Sequence, residues 1–184
     1  MSMEETKIIA IVGMPGAGKS IAADFFRSKG LPVLRFGDQT DIGLKERGLP
    51  ITEANERKYR EDIRRELGMA AMAIKIEPRI EETAKTSNTI VLDGLYSWEE
   101  YVYLREKFPQ MKLLCIWAPP NIRYERLSKR PVRPLTLEES KSRDTSEIEN
   151  LNKGGPIAIA DNLIKNERSE EHFIGKLGTY YTSL

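Results

Sequence analysis

Eight consecutive residues, Gly13-Met14-Pro15-Gly16-Ala17-Gly18-Lys19-Ser20, fit the pattern G-x-x-x-x-G-K-[ST]. Glycines let a backbone turn tightly and leave no side chain between its N–H groups and an anion. The lysine adds a point charge for phosphate oxygens, and the serine hydroxyl offers an oxygen to Mg²⁺. With a strand before it and a helix after it, such a loop holds the β- and γ-phosphates of a nucleoside triphosphate such as ATP. Lys7-Ile8-Ile9-Ala10-Ile11-Val12 is a continuous apolar, β-branched run suited to a strand buried on both faces. Ile21 to Phe26 continues as a helix, with Ile21 and Phe25 on its inner side.

A second group with chemical potential is Asp93, which ends the apolar run Asn88-Thr89-Ile90-Val91-Leu92. A carboxylate at the end of a strand beside the phosphate loop is placed to hold Mg²⁺, directly or through water. Farther on, Arg123, Arg126, Lys129, Arg130 and Arg133 accumulate against one acid, Glu125. Pro131 and Pro134 stiffen the following loop, and Arg143-Asp144 lies in the next helix. A basic helix joined to a proline-flanked loop suits a lid over phosphates.

Composition narrows the class. The chain has 184 residues, 40% of them hydrophobic and 31% charged, as in an ordinary globular domain. A formal charge of +1 argues against a broad nucleic-acid or membrane-binding surface and leaves room for a local basic patch. Cys115 is the one cysteine, set in an apolar strand-like run, which reads as a buried thiol and suits a reducing compartment. No apolar run approaches the roughly 18 residues of a membrane span. Met1-Ser2-Met3-Glu4-Glu5 lacks the basic start of a signal peptide, so a cytoplasmic location is expected. His172, the sole histidine, falls in the first turn of the last helix and is expected to be solvated.

The elements follow in order. Pro32–Phe36 reads as a second strand, with Gly37-Asp38 at its end. A helical pattern then runs from Thr52 to about Ile76, with Ile63, Leu67 and Ile74 as its apolar stripe and Arg57, Arg60, Arg64 and Arg65 on its polar face. Pro78 is expected to break or kink it, with a shorter helix over about 78–86. Ser97-x-x-Glu100 and Thr136-x-x-Glu139 are capping boxes that open helices, the first burying Trp98, Tyr101 and Leu104. Met111–Ala118 is a fourth strand. Gly154-Gly155-Pro156 reads as a break, and a short last strand leads to Asn166 before a final helix from Ser169. Alternation of strands and helices predicts an α/β fold with a parallel sheet covered on both faces, in a single domain over 1–184.

On these residues the chain resembles the nucleoside-monophosphate-kinase branch of P-loop proteins, including adenylate kinases and dephospho-CoA kinases. It is most similar to a group of small archaeal adenylate-kinase-related proteins. The likeness rests on Gly13–Ser20, Phe36-Gly37-Asp38, Val91-Leu92-Asp93-Gly94, Ala118-Pro119-Pro120 leading into Arg123–Leu127, Arg143-Asp144 and Ile159–Asn166. It implies a three-layer P-loop NTPase fold with a five-stranded parallel sheet of order 2-3-1-4-5. It also implies a helical acceptor-binding insert near 38–76, a lid near 127–143, and ATP with Mg²⁺ as donor. By that resemblance Lys19 stabilises the transferring group, Ser20 and Asp93 organise the metal, and Arg126, Arg130 and Arg143 neutralise spreading charge. Asp38 falls on the acceptor side and Asn166 near the base.

Two departures bear on the acceptor. Gln39-Thr40-Asp41 follows the Gly-Asp turn where an adenylate kinase soon places an arginine, and Asp93-Gly94-Leu95-Tyr96-Ser97 lacks a second one. Losing those bidentate clamps counts against an ordinary AMP acceptor unless Arg60, Arg64 or Arg65 takes their place. The leading expectation is a kinase for a nucleotide or nucleotide-like small molecule. The alternative is an ATP-hydrolysing factor that acts on a protein or RNA. No Asn-Lys-x-Asp guanine-reading motif is present.

Overall fold

The computed structural model describes residues 6–184, so the N-terminal stretch read above for a signal peptide lies outside the described residues. Strands β1 (Lys7–Val12), β2 (Val33–Arg35), β3 (Thr89–Asp93), β4 (Lys112–Trp117) and β5 (Asn162–Lys165) form one parallel sheet. Its order, β2-β3-β1-β4-β5, is the expected one. Helices α1 (Lys19–Ser28), α2 (Asp38–Glu46), α3 (Glu53–Leu67), α4 (Ala71–Ala84) and α5 (Trp98–Lys107) are followed by α6 (Pro120–Ser128), α7 (Leu137–Glu149), α8 (Gly154–Ala158) and α9 (Glu170–Thr182).

Side-chain alternation along β1 explains the layers. Ile8, Ala10 and Val12 face a core shared with Leu44, Tyr59, Ile63, Ile76, Ile80 and Leu104 from α2 to α5. Ile9 and Ile11 face the opposite core, built with Ala22, Phe26, Phe173 and Leu177 from α1 and α9. A strand buried on both sides has no polar face to offer, which is why its sequence is apolar from Ile8 to Val12. Register brings Asp93 of β3 beside Ile11, two residues before the glycine loop begins.

The helical insert differs from its expected form. One helix over 52–76 is in fact two, because Gly68 takes φ +78 and ends α3 with its N–H on the Arg64 carbonyl at 2.9 Å. Leu67, expected inside, is therefore exposed at this end, while Tyr59 joins Ile63 in the core. Pro78 neither stops nor divides α4, which runs through it. An internal proline costs about 3 kcal/mol, but Ile76 and Ile80 are fully buried and contribute about 1.5–3 kcal/mol each. Pro78 itself faces water, which can solvate the carbonyl that it leaves free.

Both capping boxes form as expected at Ser97/Glu100 and Thr136/Glu139. Leu104 is buried, yet Trp98 stays 40% exposed, with one face laid against Tyr101 and Gly155. Gly154-Gly155-Pro156 forms α8 rather than a break. No helix among the described residues is long and apolar enough to cross a membrane.

Candidate phosphate-binding site

The loop after β1 needs its glycines for packing as well as for anion access. Gly13, Gly16 and Gly18 take φ +144, +78 and +106, where L side chains are strained. A Cβ at Gly13 would lie 2.3 Å from the Ile116 carbonyl oxygen, and one at Gly18 would lie 2.3 Å from Asn166 Nδ2. The loop is thus pressed onto β4 and onto the residue that follows β5. Gly13, Met14 and Ala17 face inward, on a small cavity of about 90 Å³ with Cys115, while Pro15, Gly16 and Gly18 line the outer cleft.

Lys19 opens α1, and its Nζ donates to the carbonyls of Gly13 at 2.8 Å and Met14 at 3.2 Å. Those two contacts use two of its three donors. No side chain caps α1 and no acid sits in its first turn, so its leading N–H groups and the positive helix end are open to an anion. Burial first, and then the neighbouring Lys153 ammonium, pull Lys19 down to about 7, opposed by Glu147 and Asp93. Negative phosphate oxygens would relieve that situation.

The cleft beside the loop has a volume of about 530 Å³ and brings together most of the side chains selected from the sequence. Lys19, Ser20, Asp93, Arg126, Arg130 and Arg143 all line it. Burial raises the Asp93 carboxyl, while Arg35, with Nε 3.8 Å from Asp93 Oδ2, and Lys19 lower it. Ser20 with Asp93 makes a sparse oxygen set that suits Mg²⁺, an ion that keeps several waters and takes further oxygens from phosphates. No denser cluster of His, Cys, Asp and Glu suited to a metal occurs among the described residues.

Arg126 reaches back to the loop, with Nη1 3.4 Å from the Gly16 carbonyl and Nη2 3.2 Å from Asn166 Oδ1. Asn166 in turn donates Nδ2 to the Ala17 carbonyl at 2.8 Å, so it clasps the loop. Arg130 lies past the end of α6, not on the same helix face as Arg126, yet it enters the cleft. Asp38 is not among the lining residues: it begins α2 and stands 3.7 Å from both Arg35 and Arg79. None of Arg57, Arg60, Arg64 and Arg65 lines the cleft either. Arg57 and Arg60 pair with Glu61 and Glu56 along α3, and Arg65 pairs with Asp62.

Several neighbours had no role assigned to them from the sequence. Arg123 is 4% exposed and donates to the carbonyls of Pro15 and Ala118 and, bidentately, to Asp144 at 2.9 and 2.5 Å. It ties α6 and α7 to the loop, and Tyr124 adds a hydroxyl to the same carboxylate at 2.9 Å. Its spacing from Leu127, four residues on and fully buried, was the available signal that it points inward. Arg35, Tyr96, Glu147 and Lys153 also line the cleft. Behind Tyr96, burial pushes the Glu100 carboxyl up to about 7 although it accepts the Tyr96 and Ser97 amides.

Sheet order, loop and following helix define a P-loop protein of the kinase-like α/β class. A family model described as an AAA domain matches residues 9–163. The UPF0200 protein of Pyrococcus abyssi is 38% identical over 170 residues, covering 90% of each chain. That of Thermococcus gammatolerans is 34% identical over 176 residues, covering 94% of this chain and 92% of its own. The chain belongs to this UPF0200 family, within the AAA-domain class. Among solved structures, the dephospho-CoA kinase of Campylobacter jejuni superposes with TM-score 0.62 at 18% identity over 97% of both chains. The Thermus thermophilus protein TT1252 gives 0.66 at 21% over 98% of both. These two likenesses bear on the fold.

Proposed function

We propose that the protein is an ATP- and Mg²⁺-dependent phosphotransferase that moves the γ-phosphoryl group to a nucleotide or nucleotide-like small molecule. The observation that carries this reading is convergence: Arg126 of α6, Arg130 and Arg143 line the same cleft as Lys19, Ser20 and Asp93. In transfer, the bond between the γ-phosphorus and the β,γ-bridging oxygen breaks, ADP leaves, and an acceptor oxygen bonds to phosphorus. Such a step asks for positioning and for charge on the equatorial oxygens, with no covalent intermediate on the protein. Lys19 and the loop amides hold the β- and γ-phosphates. Arg126, Arg130 and Arg143 take up the developing charge, and Asn166 fixes the loop near the base end. Ser20 and Asp93 would hold Mg²⁺, which would offset phosphate charge. Residues 38–76 form the acceptor side, with Asp38 at its entrance, and residues 127–143 the lid. The buried Cys115 thiol accords with a reducing, cytoplasmic setting.

A second reading is favoured by one observation. Arg57, Arg60 and Arg65 of α3 pair with carboxylates of their own helix and no α3 arginine lines the cleft, which suits an ATPase that acts on a protein or RNA. Following ATP consumption with Mg²⁺, with and without nucleoside monophosphates and dephospho-CoA, separates the two. A phosphorylated acceptor establishes the kinase, and steady hydrolysis indifferent to every acceptor establishes the ATPase.

A further inference from the structure

Lys153 is a second lysine in the cleft, and the glycine-loop motif does not account for it. It is 1% exposed, yet it lines the same cleft as Lys19 and Asp93. The protein aims it with care. Asn152 before it takes φ +49, an uncommon left-handed conformation, and donates Nδ2 to Glu99 Oε1 of α5 at 2.8 Å. The Lys153 amide closes on the Glu147 carbonyl at 3.2 Å. Gly155 is pressed so tightly on Trp98 that an added Cβ would come within 2.5 Å of the ring. The Lys153 ammonium, fixed by these contacts, bonds the Glu147 carboxylate and lies 4.7 Å from the centre of the Tyr96 ring.

Glu147 has a second cation. Its other oxygen accepts Arg143 Nε at 3.1 Å, so one carboxylate holds two cleft cations at once. A carboxylate bound by a lysine and an arginine presents the arrangement that a phosphate would receive. Across the cleft lining, six cationic side chains face three carboxylates, in a chain whose formal charge is only +1. A buried lysine–glutamate pair by itself contributes little to stability, and a second lysine beside Lys19 adds like-charge repulsion that Glu147 only partly offsets. That placement makes sense if an anion enters.

We propose that Lys153 is a second phosphate-binding lysine: when substrate enters, its ammonium exchanges the Glu147 carboxylate for phosphate oxygens, and Arg143 leaves the same carboxylate with it. Glu147 then acts as a stand-in anion that keeps both cations aimed in the free protein. This inference rests on the reading of the cleft as a phosphotransfer site. The phosphate has two sources, the γ-phosphate of ATP or a phosphate carried by the acceptor.

The test uses Lys153→Met, Glu147→Gln and the double variant Glu147→Gln/Lys153→Met, measured by calorimetry with Mg²⁺ against ATP, ADP, and inorganic phosphate added to the ADP complex. Removing both charges spares the fold the unpaired carboxylate that the single lysine variant leaves, so the double variant should melt near the native protein. If Lys153 holds the γ-phosphate, the double variant loses about tenfold or more in ATP affinity with ADP unchanged. If it holds the acceptor's phosphate, ATP binding is unchanged and inorganic phosphate no longer binds the ADP complex. Glu147→Gln alone, which frees the cation, tightens the same anion, and this readout stands even if the double variant does not fold. Unchanged affinities throughout reduce Lys153 to a neutraliser of Glu147 and overturn the inference while the phosphotransfer reading survives. Native protein that binds none of these ligands overturns both.

Discussion

The charge on Lys19 is conditional. Burial and the Lys153 ammonium bring it to about 7 in the free protein, so above neutral pH it is largely uncharged until phosphates arrive. The unfolded chain keeps that proton up to about pH 10. Between about 7 and 10 the unfolded state therefore binds more protons, and this group's contribution to stability rises with pH across that window. Binding runs the other way, since phosphates call the proton back. At pH 8, where the phosphates are already ionised, ATP binding is expected to take up close to one proton. Calorimetric enthalpies in buffers of different ionisation heat measure this directly; equal enthalpies would mean that Lys19 is charged throughout. Lys19→Ala should abolish turnover while leaving the fold intact, because the ammonium serves phosphates and two loop carbonyls only. Arg126→Ala should lower kcat by on the order of 10²-fold, against small changes in the nucleotide dissociation constant, if the guanidinium acts on the transition state. A change confined to thermal stability would reduce Arg126 to a clasp on Gly16 and Asn166. That Lys19, Ser20 and Asp93 come to one cleft was legible in the sequence because a local pattern fixes each of them. Lys153 was not, because a turn locked from α5 and α8 places it, and no local pattern records those contacts.

At the scale of elements, one buried ion pair sets α6 and α7 against the loop. Arg123 on α6 holds Asp144 on α7 with two bonds and the Pro15 carbonyl with a third, so three elements share a guanidinium. Breaking such a pair leaves the partner buried and unpaired, which costs far more than the intact pair contributes. Asp144→Ala is expected to destabilise the protein by about 3–5 kcal/mol, read as a lowered midpoint of denaturant unfolding. A loss under about 1 kcal/mol would be that of a surface pair and would detach α7 from the loop's support. The strands, both capping boxes and the start of α1 followed from the sequence because side-chain alternation and local hydrogen bonds decide them. The insert followed less well for a physical reason. Gly68 offered a helix stop that the charge pattern around it obscured, and Pro78 offered a break that the burial of Ile76 and Ile80 overrode. In both places tertiary packing and a single backbone conformation outweighed periodicity.

For the molecule as a whole, the sheet order does the gathering. After β1 the chain winds outward to β2, returns through β3, and then crosses to β4 and β5 on the other side, so its winding reverses around β1. Ligands of open α/β sheets collect at the carboxyl ends of strands at such a reversal. Here that edge receives the glycine loop from β1, Arg35 from β2, Asp93 from β3, the Arg123 helix after β4 and Asn166 after β5. Residues more than a hundred positions apart thus share one cation-rich cleft, and filling it with a polyanion should tighten the whole protein. A ligand that binds only the native state at a hundredfold its dissociation constant adds about 2.7 kcal/mol. For a chain of this size each kcal/mol moves Tm by about 2–4 °C, so saturating Mg·ATP is expected to raise Tm by about 5–10 °C. Lys19→Ala should lose most of that shift, and Asp144→Ala should keep it from a lower starting Tm, because it weakens the scaffold and leaves the phosphate groups' own partners in place. If both variants lose the shift equally, the Arg123–Asp144 pair and the loop form one cooperative unit, and nucleotide binding depends on the scaffold as much as on the lysine.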